Sequence, residues 1–293
     1  MNKQVKILLQ TTIPYTEDDW HIGRFSMLAK HLRSLKDENG DALYEVTARN
    51  REPNADGIDP LLSTFNESDF DQIWLFGLET EGGLTTEECE AVTKFRQRGG
   101  GILATRDHFD MGCSMCTIGG VGKAHYFHSK QQDPDASRHC RDDNVTLNID
   151  WPNYHSGANG DFQRIDASDH PLLRRSDGAL IEYFPAHPHE GAVGAPDGAN
   201  AKVIATSKSL TTGRQFNIVV AFDDETDTHG NNLGRAIAES SFHHMVDYNW
   251  NPEVGCPSFV EEAPGDGYKR EPEKLNDVKQ YLANAAAWLV GKN

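Results

Sequence analysis

The sequence predicts an α/β fold around a largely parallel sheet, and three observations carry that prediction. Residues 71–77 form a short, strongly apolar run bounded by turn residues, which reads as a buried strand. Thr85 to Glu88 has the pattern of a capping box, opening a helix that turns Cys89, Val92 and Phe95 inward. Gly99, Gly100 and Gly101 stop that helix, and residues 102–105 read as the next strand. Strand, helix and strand at this spacing make a βαβ unit, whose strands run parallel.

The remaining elements follow in order. Residues 4–9 read as a first buried strand and 11–15 as a loop. Asp18 or Asp19 is the expected N-cap of a helix whose core face is Trp20, Met27, Leu28, His31, Leu32 and Leu35. Residues 43–48 are the expected second strand, and Pro60 opens a short helix. Residues 109–170 are rich in Gly, Asp, His and Asn and lack periodicity, so they read as a short helix and a long insertion. Strand signals return at 178–184, 201–207 and 215–222, the last two as a hairpin around Thr211, Thr212 and Gly213. Residues 235–239 form another short strand, and 251–272 a Pro-, Gly- and acid-rich loop. A closing helix over 273–290 places Leu275, Val278, Leu282, Ala286 and Leu289 on one face. The whole of 1–293 is thus expected to be one α/β domain carrying a loop-rich insertion.

Composition narrows the function. The 293 residues are 37% hydrophobic and 25% charged, which excludes a collagen-like, disordered or membrane-embedded chain. No stretch approaches the roughly 18 apolar residues of a spanning helix. The apolar run at the start is too short for a signal peptide, so a cytoplasmic protein is expected. Twenty-eight Lys and Arg against 45 Asp and Glu give a net charge of −17, which repels phosphate backbones and anionic lipid. The expected partner is a small neutral or cationic molecule, with neither nucleic acid nor membrane. Five cysteines, an odd count, read as reduced thiols rather than a disulfide framework. Thirteen histidines gather near 108–139, at 187–189 and at 243–244, the first sign of a site.

Ligands in open α/β sheets sit beyond the carboxyl ends of the strands, and three polar clusters follow predicted strands. The first is Arg106, Asp107, His108 and Asp110, at an expected strand-to-helix turn whose helix N-terminus would favour an anion. Its plain structural reading is an Asp N-cap with an arginine partner. The second is His187, His189 and Glu190; in an extended segment the two histidines point the same way. Two imidazoles and a carboxylate suit a divalent metal such as Zn²⁺, and His189 with Glu190 would also serve as an acid/base pair. A proline-rigid loop with solvated histidines is the structural alternative. The third is His243 and His244, after the last sheet strand; adjacent histidines cannot both face one core, so one is expected exposed or liganded. Cys113 and Cys116, with His125, His128, His139 and Cys140 downstream, are zinc ligands by type but lack the usual partner spacing, so ordinary thiols are the default. No dinucleotide fingerprint, phosphate loop or nucleophile-serine elbow is present.

Residues 71–112 resemble the class I glutamine amidotransferase-like superfamily, and within it the trehalose-utilisation (ThuA-like) branch. The stretches at 74–77, 82–88 and 95–104 carry the resemblance, joined by Gly234, Arg235 and Ala236 and by Ser241, Phe242, His243 and His244. The resemblance implies a flavodoxin-like three-layer sandwich with its site at the turn after the fourth strand. Amidotransferases place a nucleophilic cysteine there, backed by His and Glu. Here that position falls on Arg106, or on Asp107 if the turn is one residue longer. Neither is a thiol, so glutaminase activity is not expected. His243 matches the family histidine, whereas Met245 stands where a carboxylate would follow. The ThuA-like branch is associated with sugar metabolism.

Together these features lead to an expected pocket of Asp107, His108, His189, Glu190, His243 and His244, with Arg106 at the turn. It would act on a carbohydrate-like small molecule by hydrolysis or elimination, with His187, His189 and His243 as candidate metal ligands. In that scheme His243 is the base or a ligand, Asp107 orients it or binds the metal, and Glu190 is the acid. The alternative is a non-catalytic binding module whose 109–170 insertion shapes a ligand surface or a homodimer contact.

Overall fold

A computed structural model describes residues 4–227 and 230–291. Eight strands form the central sheet: β1 (Val5–Thr11), β2 (Tyr44–Arg49), β3 (Gln72–Phe76), β4 (Gly101–Thr105), β5 (Asp166–Ala167), β6 (Ala201–Lys208), β7 (Gln215–Phe222) and β8 (Ala236–Glu239). Their order across the sheet is β2-β1-β3-β4-β8-β7-β6-β5. The first five in that order run parallel, and β7, β6 and β5 complete the sheet antiparallel.

The sheet is covered on both faces, so its central strands are apolar throughout and not alternating. Ile7, Leu9, Trp74, Phe76, Leu103 and Ile237 point to one face, where α1 (Ser26–Ser34) and α3 (Leu275–Trp288) pack. Leu8, Ile73, Leu75, Ile102, Ala104 and Ala238 point to the other, against α2 (Thr86–Gln97) and the short 3₁₀ segment Leu62–Glu67. The result is the flavodoxin-like three-layer arrangement with a mostly parallel sheet. No helix among the described residues is long and apolar enough to cross a membrane.

The β3-α2-β4 unit forms as its residues dictate. Thr85 accepts from the Glu88 amide at 3.2 Å, and Glu88 accepts from the Thr85 amide at 2.9 Å, closing the capping box. Gly99 then leaves the helix at φ 98°, a conformation open to glycine. The 201–222 hairpin also forms.

Other expectations need correction. Neither Asp18 nor Asp19 caps the first helix: His21 caps a 3₁₀ turn at Ile22–Phe25, and α1 begins only at Ser26. The cap of α1 comes from Asp247, which accepts from the Ser26 and Met27 amides at 3.1 and 2.8 Å. No local pattern could reveal a cap supplied from across the chain. Of the expected 178–184 strand only Tyr183 and Phe184 reach strand pairing, in a strand Tyr183–Pro185 against Phe162–Arg164, and Leu180 makes an isolated bridge. No α-helix follows β4; a loop leads to the 3₁₀ turn Cys113–Thr117, so no helix dipole acts at residues 106–110.

Candidate active site

The strand ends bring the clusters together. β4 and β8 pair in parallel with Thr105 opposite Glu239, so the segments leaving them, 106–108 and 240–244, emerge side by side. The 187–191 segment crosses both, with the Gly191 amide bonded to the Ser240 carbonyl at 3.1 Å. A Cβ at Gly191 would lie 2.4 Å from the Asp107 carbonyl oxygen and 2.7 Å from that of Ser240, so only glycine permits this approach.

The three segments surround one pocket of about 430 Å³ at the carboxyl edge of the sheet. Asp107, His108, His187, His189 and His243 line it, with Trp20, Leu78, Met111, Ile149 and Phe259 as apolar wall. Asp19 and Glu262 add carboxylates, and no Lys or Arg is among the described residues that line it. The imidazoles are close: His108 and His187 each lie 5.4 Å from His189, ring centre to ring centre, and His187 stacks on His243 at 3.5 Å and 9°. Phe109 adopts φ 50°, a left-handed conformation costly outside glycine, directly after His108.

Asp107 is the hub. Its Oδ1 accepts from the Ser241 hydroxyl at 2.7 Å, while Oδ2 faces His108 Nδ1 at 2.8 Å and His187 Nε2 at 3.2 Å. Burial alone would raise this carboxyl; positive charge between it and the His187 and His108 rings outweighs burial and holds it well below the usual carboxylate range.

The protonation of His187 and His243 follows from one backbone carbonyl. Ala186 O can only accept, so the Asn249 side chain turns its NH₂ toward it at 2.8 Å. The same NH₂ donates to Asn159 Oδ1 at 3.0 Å. Asn249 Oδ1 therefore accepts from His243 Nδ1–H at 2.8 Å, and Asn159 Oδ1 from His187 Nδ1–H at 2.8 Å. Both rings keep their proton on Nδ1 and offer Nε2 as a lone pair. Burial pushes both imidazoles down, away from the charged form.

His189 behaves oppositely. Burial would lower it, but the Asp143 and Glu262 carboxylates beside it raise it to about 9, so the ring is an imidazolium at neutral pH. Its nitrogens face Glu262 at 2.9 Å and Asp143 at 3.1 Å.

Three expected site residues lie behind the pocket. Glu190 and His244 are fully buried and meet each other at 3.2 Å. His244 Nδ1 also faces Glu239 at 3.2 Å, and Glu239 accepts from the Tyr281 hydroxyl at 2.6 Å. Ser156, Gln163 and Ser240 satisfy the rest of the Glu190 carboxylate. Burial lowers His244, but Glu190 and Glu239 outweigh it and raise the ring to about 10. Of the adjacent histidines, of which one was expected exposed or liganded, both are buried; they face opposite sides, and His243 lines the pocket while His244 does not. Arg106 is also fully buried, over the Phe127 ring at 4.3 Å, and burial lowers it to about 9. The expected Glu190 acid does not reach the pocket; His189 does.

Within the described residues, the group of three or more ligand-type side chains with donor atoms mutually within 4.8 Å is Asp107, His108 and His187. Cys113, Cys116 and Cys140 form no such group; burial pushes all three thiols up, Cys140 to about 11. His125 is buried too and is pushed down to about 3. The sequence reading missed Asn159 and Asn249. Asparagine has no spacing signature, and their roles emerge only once the chain brings them against His187 and His243.

No family model matches the chain, and no curated protein matches it. Among solved structures, it is similar to the glutaminase domain of Trypanosoma brucei CTPS with bound acivicin: 12% identity, 97% of this chain, 94% of that one, TM-score 0.42. It is also similar to a ThuA-like protein from Parabacteroides merdae ATCC 43184: 14% identity, 90% of this chain, 96% of that one, TM-score 0.38.

Proposed function

We propose that the pocket is the active site of a hydrolase or lyase acting on a small, uncharged, hydroxyl-rich molecule of carbohydrate type. The observation that carries this reading is the convergence of Asp107, His187, His189 and His243, from three segments, on one pocket at the carboxyl edge of the sheet. His243 Nε2, its lone pair fixed by Asn249, is the general base that takes a proton from water or from a substrate carbon or hydroxyl. His189, held charged between Asp143 and Glu262, places a positive charge on one wall of the pocket. Asp107 stays ionised and positions Ser241, His108 and His187 around the pocket.

The charge of the lining supports the substrate class. Three carboxylates, Asp19, Asp107 and Glu262, outnumber the one imidazolium, His189, and no Lys or Arg is among the described lining residues, so the protein's own side chains disfavour phosphates and carboxylates. Trp20 and Phe259 offer aromatic surface for the C–H face of a sugar ring.

The test is a turnover screen with neutral glycosides and sugar lactones, run beside the matching sugar phosphates. Neutral compounds should turn over, and His243→Ala should lower kcat/KM by about 100-fold or more. Preference for the phosphates, or full activity in His243→Ala, would overturn the reading.

A further inference from the structure

We infer that Asp107, His108 and His187 form a divalent transition-metal site, Zn²⁺ by preference, with Asp107 Oδ2 as the shared corner. The argument starts from a conflict of lone pairs. Asn159 fixes the His187 proton on Nδ1, so its Nε2 carries a lone pair. That lone pair points at Asp107 Oδ2, 3.2 Å away, an atom that also only accepts. Two acceptors buried face to face require a proton or a metal cation between them, and burial works against the extra proton on this ring. Ligands held 2.0–2.2 Å from one tetrahedral ion lie about 3.3–3.6 Å apart; His187 at 3.2 Å and His108 at 2.8 Å from Asp107 Oδ2 stand close to that spacing, and both rings move outward by a few tenths of an ångström to admit the ion.

The surroundings are those of a ligand set. A metal-bound histidine gives its other N–H to a fixed acceptor, and His187 gives Nδ1–H to Asn159. A metal-bound carboxylate is held by a donor on its second oxygen, and Ser241 donates to Oδ1 of Asp107 at 2.7 Å. His108, partly exposed at the pocket, completes a set of two imidazoles and one carboxylate, the composition of open catalytic sites for Zn²⁺ or Fe²⁺. The set differs from the His187, His189 and His243 trio expected from sequence. His189 is excluded because both its nitrogens face carboxylates. His243 stands beside the site, its free Nε2 suited to take a proton from a water on the metal. What the ion does there rests on reading the pocket as an active site; whether it binds does not.

The experiment uses protein purified without a histidine tag, stripped with a chelator and titrated with Zn²⁺ by calorimetry. Metal content is measured before stripping, and Co²⁺ is added as an optical probe. The expected result is one equivalent of metal, a Co²⁺ spectrum without thiolate bands, and loss of binding in His187→Ala and Asp107→Asn. Asn159→Leu should weaken Zn²⁺ binding about 10–100-fold, and a Cys113→Ser/Cys116→Ser protein should bind as wild type. Circular dichroism on each variant separates lost binding from lost fold. Failure of the wild-type protein to bind Zn²⁺, a thiolate band with Co²⁺, or unchanged binding in a folded His187→Ala would overturn the site. The first outcome would assign the 3.2 Å gap to a proton shared by His187 and Asp107. Metal bound without any turnover would instead count against the active-site reading, and turnover unaffected by stripping would count against the metal alone.

Discussion

Asn249 donates a hydrogen bond of 3.0 Å to Asn159, and this one contact couples the protonation of two histidines from different segments. Asn159 sits in the insertion and Asn249 in the one-turn helix Asp247–Trp250 that follows β8, and each holds the Nδ1–H of one ring of the His187–His243 stack. The amides act as a frame, anchored on the Ala186 carbonyl, that presents two Nε2 lone pairs to the pocket.

Removing that frame should cost both stability and tautomer control. In Asn249→Ala the Ala186 carbonyl and the His243 Nδ1–H lose their partners inside the protein. An unsatisfied buried polar group costs about 1–3 kcal/mol, so a loss of about 2–3 kcal/mol is expected in urea unfolding. Long-range ¹⁵N–¹H NMR should show His243 fixed with its proton on Nδ1 in the wild type and as a mixture of tautomers in the variant. A wild-type His243 protonated on Nε2 would contradict the assignment.

The cluster behind the pocket predicts a pH dependence. His244 lies between Glu190 and Glu239, with Tyr281 on the far side of Glu239, and its pKa is raised to about 10 in the folded protein. In the unfolded chain a histidine titrates near 6.5, so the folded state binds this proton more tightly. The stabilisation is fully present below pH ~6.5 and is lost as pH rises through about 10. The His244→Ala protein leaves two buried carboxylates without their cation and should lose about 3–5 kcal/mol at pH 6. The stability gap between wild type and variant should then narrow steadily toward pH 10. That gap is the readout because titration of His189 and Arg106 is common to both proteins. A gap constant from pH 6 to 10 would show that His244 is not held as an imidazolium.

Much of this arrangement was legible in the sequence because it rests on local chemistry. The capping box at Thr85, the glycines after α2 and the apolar strands at 71–77 and 102–105 fix the βαβ unit within about 35 residues. The histidine clusters marked the pocket because imidazoles are scarce and three groups of them follow strand ends. What stayed hidden depends on long-range contacts. Asp247 as the cap of α1, Asn159 and Asn249 as the frame, and Asp143 and Glu262 around His189 are ordinary surface-type residues until the fold buries them. The roles of Glu190 and His244 were misjudged for the same reason. Alternation along a segment gives direction, but not whether that direction is pocket or core.

The cysteines give a third prediction. Burial pushes the thiols of Cys113 and Cys116 up, and those of Cys89 and Cys140 to about 11, so none of these four is a ready nucleophile at neutral pH. Each should react with a disulfide reagent at pH 7.5 more slowly than free cysteine does. Incubation with glutamine should release no ammonia above background. Rapid labelling of Cys113, followed by loss of the pocket's Zn²⁺ binding, would mean that this thiol works at the site after all.

Gly191 tests whether the convergence of three segments matters beyond stability. Its φ is not left-handed, so the need for glycine comes from contact, not conformation. An alanine methyl would sit 2.4 Å from the Asp107 carbonyl, 2.7 Å from the Ser240 carbonyl and 2.7 Å from an Arg106 nitrogen. Two of these neighbours are backbone at sheet ends and cannot rotate aside, so the 187–191 segment must move outward. Overpacking of this kind costs about 1–3 kcal/mol. The same shift carries His187 and His189 away from Asp107 and lengthens the 3.2 Å approach on which ligation depends. Zn²⁺ affinity in Gly191→Ala should therefore fall by about 10-fold or more, the scale of a disturbed ligand shell. The control is Gly213→Ala, at the tip of the β6–β7 hairpin, where glycine is left-handed and no neighbour lies within 4 Å. That variant should lose stability through backbone strain while keeping its Zn²⁺ affinity. Equal losses of affinity in the two proteins would mean that binding follows general stability and not the placement of the 187–191 segment against Asp107.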